Sequence, residues 1–259
     1  MMPLWVLFVL VGAAGGFTAG LFGVGGGLVI VPTLYFLWHT DPLLGPEVMH
    51  HAVATSLACI VVTSLTSSWT HWRAQRLQFE RLTPLALAVS LGAASAVWLA
   101  NWMPTQWLKL GFGLFALATC LSLLRPKTHT TVQATPPRNE LLGAGTFIGH
   151  VSTLLGVSGG AMTVPYLVLR GVDMRQAVVV SSAVAIPISL IGAVGLAMTG
   201  PSGPQTWGYV HWPAFMGISL VSILFANWGA RLSQRMDKHK LQKAFAGFLA
   251  MVAAHMLLF

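Results

Sequence analysis

Apolar positions in this chain run in long unbroken stretches, with neither the alternation of a half-buried strand nor the one-sided stripe of a surface helix. No Asp, Glu, Lys or Arg occurs in residues 1–40, 48–72, 82–108, 110–124, 141–169, 177–230 or 244–259. A transmembrane helix needs roughly 20 apolar residues, and a charge at its centre costs about 2.5–3.5 kcal/mol on insertion scales. The stretches therefore predict membrane helices. Single crossings are expected over 48–72, 82–100, 107–124, 177–198, 212–230 and 243–259, and two-segment hairpins over 1–38 and 141–169.

The polar breaks orient these segments. Residues 73–81, 125–140, 170–176 and 231–243 carry the clustered Lys and Arg, whereas 39–51, 101–106 and 199–211 carry none. Positive loops stay cytoplasmic, so the first set is expected inside and the second outside. Trp98, Trp102, Trp107, Trp207 and Trp212 flank expected outer loops, and Trp69, Trp72 and Trp228 flank inner ones, as an interfacial aromatic belt requires. Each half then holds five segments, an odd number, so the halves are inverted. The expected fold is an all-α polytopic integral membrane protein of two inverted repeats, each a Gly-broken helical hairpin plus three transmembrane helices. The first repeat is residues 1–124, a cytoplasmic linker spans 125–140, and the second repeat is 141–259. The expected location is the inner cell membrane.

Composition agrees. Charged residues make up 8% of the 259 and hydrophobic ones 55%, where a soluble domain is about a quarter charged. The net charge of +8 resides in the loops as an orientation signal, so no nucleic-acid partner is expected. Cys59 and Cys120 both fall inside apolar segments, which argues against a disulfide framework. The first segment lacks a positive n-region, so no cleavable signal peptide is expected.

An internal repeat carries the chemistry. Gly23-Val24-Gly25-Gly26-Gly27 with Val31-Pro32 matches Gly156-Val157-Ser158-Gly159-Gly160 with Val164-Pro165, an offset of 156 − 23 = 133 that also pairs Gly16 with Gly149. A weaker echo pairs Thr55-Ser56 with Ser181-Ser182, and another pairs Lys109 and Gly113 with Lys243 and Gly247. Backbone at membrane depth leaves the helix only where it is buried in protein or lines a cavity. Glycine permits the positive φ and close approach that such a break needs. Past each break a short helix restarts, with Pro32 or Pro165 expected in its first turn. Its free N–H groups and positive dipole end suit an anion, and matching interruptions in two inverted halves mark a transporter site. The alternative is that these glycines only let helices pack closely.

Candidate binding groups are therefore Gly23, Gly25, Gly26, Gly27, Gly156, Ser158, Gly159 and Gly160. Thr55, Ser56, Ser181 and Ser182 join them as hydroxyl donors, with back-bonding inside their own helices as the alternative. Cys59 lies one turn beyond Thr55, lining the same space or buried as an inert thiol. Pro32 and Pro165 are candidate hinges. His150 is the one ionisable side chain deep in the second hairpin, opposite Phe17 in the repeat; it is either proton-linked or a packed neutral histidine. Asn227 is expected to bond between helices. The other histidines form no metal-ligand pattern, and neither a metal nor a cofactor is expected. With no Asp or Glu in any span, a carboxylate proton relay is not available, and a cationic substrate would lack a counter-charge.

The cluster Gly20-Leu21-Phe22-Gly23-Val24-Gly25-Gly26-Gly27 with Val31-Pro32, then Ala54-Thr55-Ser56, then Gly156-Val157-Ser158-Gly159-Gly160 with Pro165, closely resembles the TauE/SafE family, also called the toluene-sulfonate uptake permease family. The resemblance covers nearly the whole chain. It implies a membrane permease for sulfite, sulfoacetate, other organosulfonates or related sulfur compounds. Ser158 stands where the first copy has Gly25, and Thr153 where it has Gly20, so the halves are not equivalent. The leading expectation is a secondary transporter of a small anionic or sulfur-containing substrate, working by alternating access at a midplane site. An anion channel, an accessory receptor and a membrane-embedded enzyme are the alternatives; the spans offer no nucleophile–base pair for the last, and no enzyme activity is expected. Expected partners are the substrate and the lipid bilayer, with a homo-oligomer left open.

Overall fold

The structure, a computed structural model, describes residues 4–22, 25–39, 44–74, 79–124, 137–172, 174–233 and 238–258. Gly23, the body of the expected linker (125–136) and the tip of the basic loop 73–81 lie outside them. Ten α-helices account for nearly all of it. Before the linker come α1 (Leu4–Phe22), α2 (Gly27–Trp38), α3 (Val48–Ala74), α4 (Phe79–Ala100) and α5 (Thr105–Leu124). After it come α6 (Arg138–Leu154), α7 (Gly160–Leu169), α8 (Met174–Thr199), α9 (Trp212–Ser233) and α10 (Lys238–Leu258). Helix α6 claims residues 138–140 from the expected linker. Pro137, extended at φ −60° and ψ 150°, delimits it, and Glu140 in its first turn suits the positive end of the helix dipole.

Among the described residues four segments have the length and apolarity to cross a membrane: Gly45–Trp69, Thr83–Ala100, Gln176–Thr199 and Trp212–Gly229. The second hairpin arms are much shorter. At 1.5 Å per residue, the 12 residues of α2 and 10 of α7 reach about 18 and 15 Å, roughly half of a 30 Å hydrocarbon core. Apolar side chains cover the outside: Leu87, Leu91, Leu220, Leu224 and Met251 are all exposed. A soluble protein does not present so much apolar surface to water. Exposed tryptophans gather at the two ends, with Trp98, Trp102, Trp107, Trp207 and Trp212 at one and Trp69 and Trp228 at the other, which is where interfacial indoles are stable. The chain is a multi-pass membrane protein.

Helix pairing follows one rule on both sides of the linker. Helix α1 packs on α9 and α6 on α4; α2 packs on α3 and α7 on α8; α3 meets α8, and α5 meets α10. The first hairpin arms thus dock across the linker, on seams made by repeated small residues. A Cβ on Gly12 or Gly16 would come within 2.7 and 2.5 Å of the Ile218 and Ser222 carbonyl oxygens, and Ser222 Oγ donates to the Gly12 carbonyl at 3.0 Å. On the other side a Cβ on Gly149 would lie 2.2 Å from the Val89 carbonyl oxygen, and one on Gly145 would meet the Ala88 methyl. These are the close seams that a small-xxx-small pattern allows, so for Gly16 and Gly149 the packing reading holds. Both seams are parallel. The contact between α5 and α10 runs the other way: Gly113 approaches Leu257, whereas the Cys120 thiol donates to the Ala246 carbonyl at 3.2 Å.

The uncharged loop expected over 199–211 holds a small antiparallel hairpin, β1 (Thr206–Trp207) and β2 (Val210–His211), in register Thr206 with His211 and Trp207 with Val210. Gly208 turns it at φ +54° and lies so close to the end of α8 that a Cβ would sit 2.1 Å from the Ala197 carbonyl.

Candidate functional site

The two glycine breaks touch each other. Gly25 has φ +71° and Gly156 φ +65°, a backbone region costing a residue with a Cβ about 1–2 kcal/mol. A Cβ on Gly25 would lie 2.1 Å from Ser158 Oγ, and one on Gly27 would lie 2.5 Å from the Gly156 carbonyl oxygen. Gly25 and Ser158 are partners in the internal repeat, and they meet face to face. Two identical side chains at such a meeting point would occupy one volume. One copy therefore carries the hydroxymethyl group and the other carries none, which gives a physical reason for the departure of Ser158 from the repeat.

Gly26 and Gly159 take helical backbone angles as N-caps of α2 and α7, and neither helix start has a side-chain cap. The N–H groups of Val29 and Met162, third in each helix, bond back to the Gly26 and Gly159 carbonyls at 3.0 and 3.2 Å, and the two N–H groups before each have no carbonyl of their own helix to bond. Both helices start immediately after their breaks, which moves the prolines. Pro32 and Pro165 sit at the sixth helical position, inside α2 and α7, and not in the first turn. The cause is the αR conformation of Gly26 and Gly159, which begins helix several residues earlier than a proline-led start would. With no N–H, each proline releases the carbonyl four residues before it, Leu28 in α2 and Ala161 in α7.

The expected hydroxyl donors divide by role. Thr55 Oγ1 accepts the His211 N–H at 3.0 Å, and Ser56 Oγ donates to the Gly156 carbonyl at 2.8 Å. Both bond to other elements instead of back-bonding in α3, and Ser56 pins the second break. Ser182 bonds back to the Val179 carbonyl at 2.8 Å, while Ser181 is buried on α8. Cys59 is fully buried with Sγ 4.0 Å from the Phe215 carbonyl of α9. Ser158, Gly159 and Gly160 are buried at the start of α7. Asn227 departs from expectation: its Nδ2 donates to the Ile223 carbonyl at 3.2 Å, within α9 and not between helices. His150 lies on the α4–α6 seam, where Nδ1 is hydrogen-bonded to Ser95 Oγ at 2.8 Å, and lines an open groove with Leu142, Gly143, Thr146 and Phe147.

Two further hydroxyls were not among the expected binding groups, although Thr153 already marked an asymmetry of the repeat. Thr163 is fully buried in the first turns of α7, with Oγ1 3.5 Å from where a Gly159 Cβ would stand. Thr153, at the end of α6, is 1% exposed. Neither Oγ1 has a hydrogen-bond partner, and an unmade bond of this kind costs about 1–3 kcal/mol. Their signal in the sequence was asymmetry: by the 133-residue offset Thr163 stands opposite Ile30, as Thr153 stands opposite Gly20.

A further polar group lies at the end of the bundle opposite the linker. His50, His51, Tyr209 and His211 are all buried there. Burial first, and then the Glu47 carboxylate bonded to its hydroxyl, push the Tyr209 phenol up to about 12. Among the described residues no cluster of His, Cys, Asp and Glu could hold a metal ion.

The family profile described as Sulfite exporter TauE/SafE matches residues 8–256. The chain belongs to the TauE/SafE family. This is a family of membrane transporters, and its curated relatives carry matching names. A "Probable membrane transporter protein" of Haemophilus influenzae is 32% identical over the full length of both chains. One from Methanocaldococcus jannaschii is 25% identical, covering 97% of this chain and 95% of the relative. YunE of Bacillus subtilis, also a "Probable membrane transporter protein", is 24% identical over 90% of each. No solved structure matches the chain. The family and these names indicate a transporter and not an enzyme.

Proposed function

We propose that this TauE/SafE protein is a secondary transporter of a small sulfur-containing anion, sulfite or an organosulfonate, bound where the two glycine breaks meet. The observation that carries the reading is the buried, unpartnered Thr163 hydroxyl beside the uncapped N-terminus of α7. That terminus offers free N–H donors and the positive end of a dipole. An oxyanion accepts from both the N–H groups and the hydroxyl; a cation could be met by the hydroxyl oxygen but leaves the N–H groups unsatisfied. The family description, which names sulfite export, favours the sulfur oxoanions among small anions.

The contact between Gly25 and Ser158 leaves no room for a methyl group, so a substrate enters only when the breaks separate. The pairing of helices suggests which bodies move. Helices α1, α2, α3 and α9 hold together, as do α6, α7, α8 and α4; they face each other across α3 and α8. Alternating access then separates these interlocked groups and not the sequence halves 1–124 and 141–259. The antiparallel meeting of α5 with α10 supports the inverted arrangement of the repeats, with the basic loops cytoplasmic in the inner membrane.

Thr163→Val tests the site. Its hydroxyl has no protein partner, so valine leaves thermal stability unchanged or slightly raised. The dissociation constant for sulfite or the best-binding sulfonate, measured by calorimetry on purified protein, rises roughly ten- to a hundredfold, as expected for one lost hydrogen bond to a charged group, about 1.5–3 kcal/mol. Unchanged affinity with intact stability refutes the placement of the site. In proteoliposomes the carrier reading requires saturable counterflow; conductance without exchange refutes it.

A further inference from the structure

The end of the bundle opposite the linker is closed by a histidine cluster that the proposed substrate site does not use. His50 and His51, in the first turn of α3, reach in different directions. His50 Nε2 donates to the Ala100 carbonyl at the end of α4, at 2.9 Å. His51 Nδ1 donates to the Tyr209 carbonyl, in the hairpin between α8 and α9, also at 2.9 Å. The Tyr209 ring stacks on His50 with centroids 5.0 Å apart and stands edge-on to His51 at 5.3 Å. Its own N–H donates to the Leu196 carbonyl of α8 at 3.2 Å. The cluster therefore spans the boundary between the two interlocked groups: α3 belongs to one, α4 and α8 to the other.

The bonding fixes protonation. A carbonyl only accepts, so His50 carries its proton on Nε2 and His51 on Nδ1. The remaining nitrogen of His50, Nδ1, is buried without a partner. A second proton there creates a buried cation whose N–H has no acceptor, the costliest kind of unmade bond. His211 points the same way. Its Nδ1 accepts the Ala214 N–H at 3.2 Å and so caps α9, and protonation of Nδ1 abolishes that bond. The ring packs against Phe8 of α1 and Trp38 of α2. Among the described residues, the titratable groups facing the cluster are Glu47 from the turn before α3, and Tyr209 and His211 from the hairpin. From α4 it meets the Ala100 carbonyl, and from α1 and α2 apolar rings.

We propose that His50, with His51, is a proton-binding site that latches this end of the interface, and that proton binding opens it. In the closed geometry a second proton on His50 Nδ1 meets no acceptor and one on His211 Nδ1 breaks the cap of α9, so an arrangement that relieves both is favoured in acid. The device has no counterpart at the repeat-equivalent positions. Carrying the offset of the Thr55–Ser181 pair, 181 − 55 = 126, onto the latch places Gln176 and Ala177 at the positions equivalent to His50 and His51; neither titrates. If the transport reading holds, access from the latched face is proton-gated.

The test reads opening directly and needs no substrate. Hydrogen–deuterium exchange of the full-length protein in nanodiscs is followed for the peptide covering 206–211, as a protection factor corrected for intrinsic rates at each pH. Protection falls at least tenfold from pH 8 to pH 5.5. The double variant His50→Gln, His51→Asn keeps each donor nitrogen and removes titration, and its protection changes less than threefold. The single variant His50→Gln, checked for unchanged melting, loses most of the fall, and His150→Gln retains it. Protection independent of pH in the natural protein, or an undiminished fall in the double variant, overturns the latch. Failure of sulfite to bind or move, with the protection result intact, overturns the transport reading and leaves the latch standing.

Discussion

Replacing Gly25 by alanine probes the meeting of the two breaks. The substitution forces a Cβ into φ +71° and places it 2.1 Å from Ser158 Oγ. The backbone term is about 1–2 kcal/mol. Overpacking against a neighbour that cannot retreat adds about 1–3 kcal/mol, so Gly25→Ala costs roughly 2–5 kcal/mol in all. Ser158→Gly removes the atoms that clash. If the two residues share one volume, the double variant keeps the backbone cost and recovers the packing cost. The coupling energy is then about 1–3 kcal/mol favourable, the range expected of residues in direct contact. The assay is a double-mutant cycle on purified protein in one detergent, with unfolding followed by circular dichroism against denaturant and Ser158→Gly as the second single. Additive penalties refute the shared volume, and with it the view that one glycine and one serine is the arrangement the contact demands.

Ser56→Ala removes the hydroxyl that satisfies the buried Gly156 carbonyl and destabilises by about 1–3 kcal/mol in the same unfolding assay; a change within experimental error refutes its role as the pin of the second break. Tyr209 has an alkaline signature. Its folded pKa of about 12 lies above the ordinary phenol value of 10.0, so folded protein holds the proton more tightly, and stability present below pH 10 declines as pH rises towards 12. A gap of two units is worth at most about 2–3 kcal/mol, and less once solvent screening of the phenol is counted. The decline between pH 10 and 12 shrinks in Tyr209→Phe, and an identical decline in that variant refutes the assignment.

Much of the fold was written in the chain because membrane helices are fixed by apolar length and charge, which are local properties. The ten helices fall where uncharged stretches and glycine clusters place them. The glycine breaks were equally legible: positive φ at Gly25 and Gly156 needs glycine, and the repeat shows both. What a single sequence hides is partnership. Thr55 and Ser56 looked alike, yet one accepts from a strand and the other holds a break, because their partners, His211 and Gly156, lie 156 and 100 residues away. The sixth-position prolines were missed because helix onset depends on whether Gly26 and Gly159 adopt αR, and glycine carries no sign of that choice. The histidine cluster was hidden because the α8–α9 loop reads as solvent-exposed until its hairpin folds Tyr209 and His211 inwards.

The glycine seams also set a schedule for synthesis. Helix α1 emerges first, yet the surface it was shaped to fit, Ile218 to Ser222 of α9, is made about two hundred residues later. At 5–20 residues per second that delay is roughly 10–40 s. Through it the groove over Gly12 and Gly16 faces lipid or some other apolar helix. A bare glycine groove in a bilayer is an adhesive surface, open to any small-residue helix that passes. The second hairpin has no such wait, because α4 is already in place when α6 arrives. The first half is therefore the one that depends on being held in the membrane until the chain is finished, and a second copy of α9 supplied early in trans would compete for it.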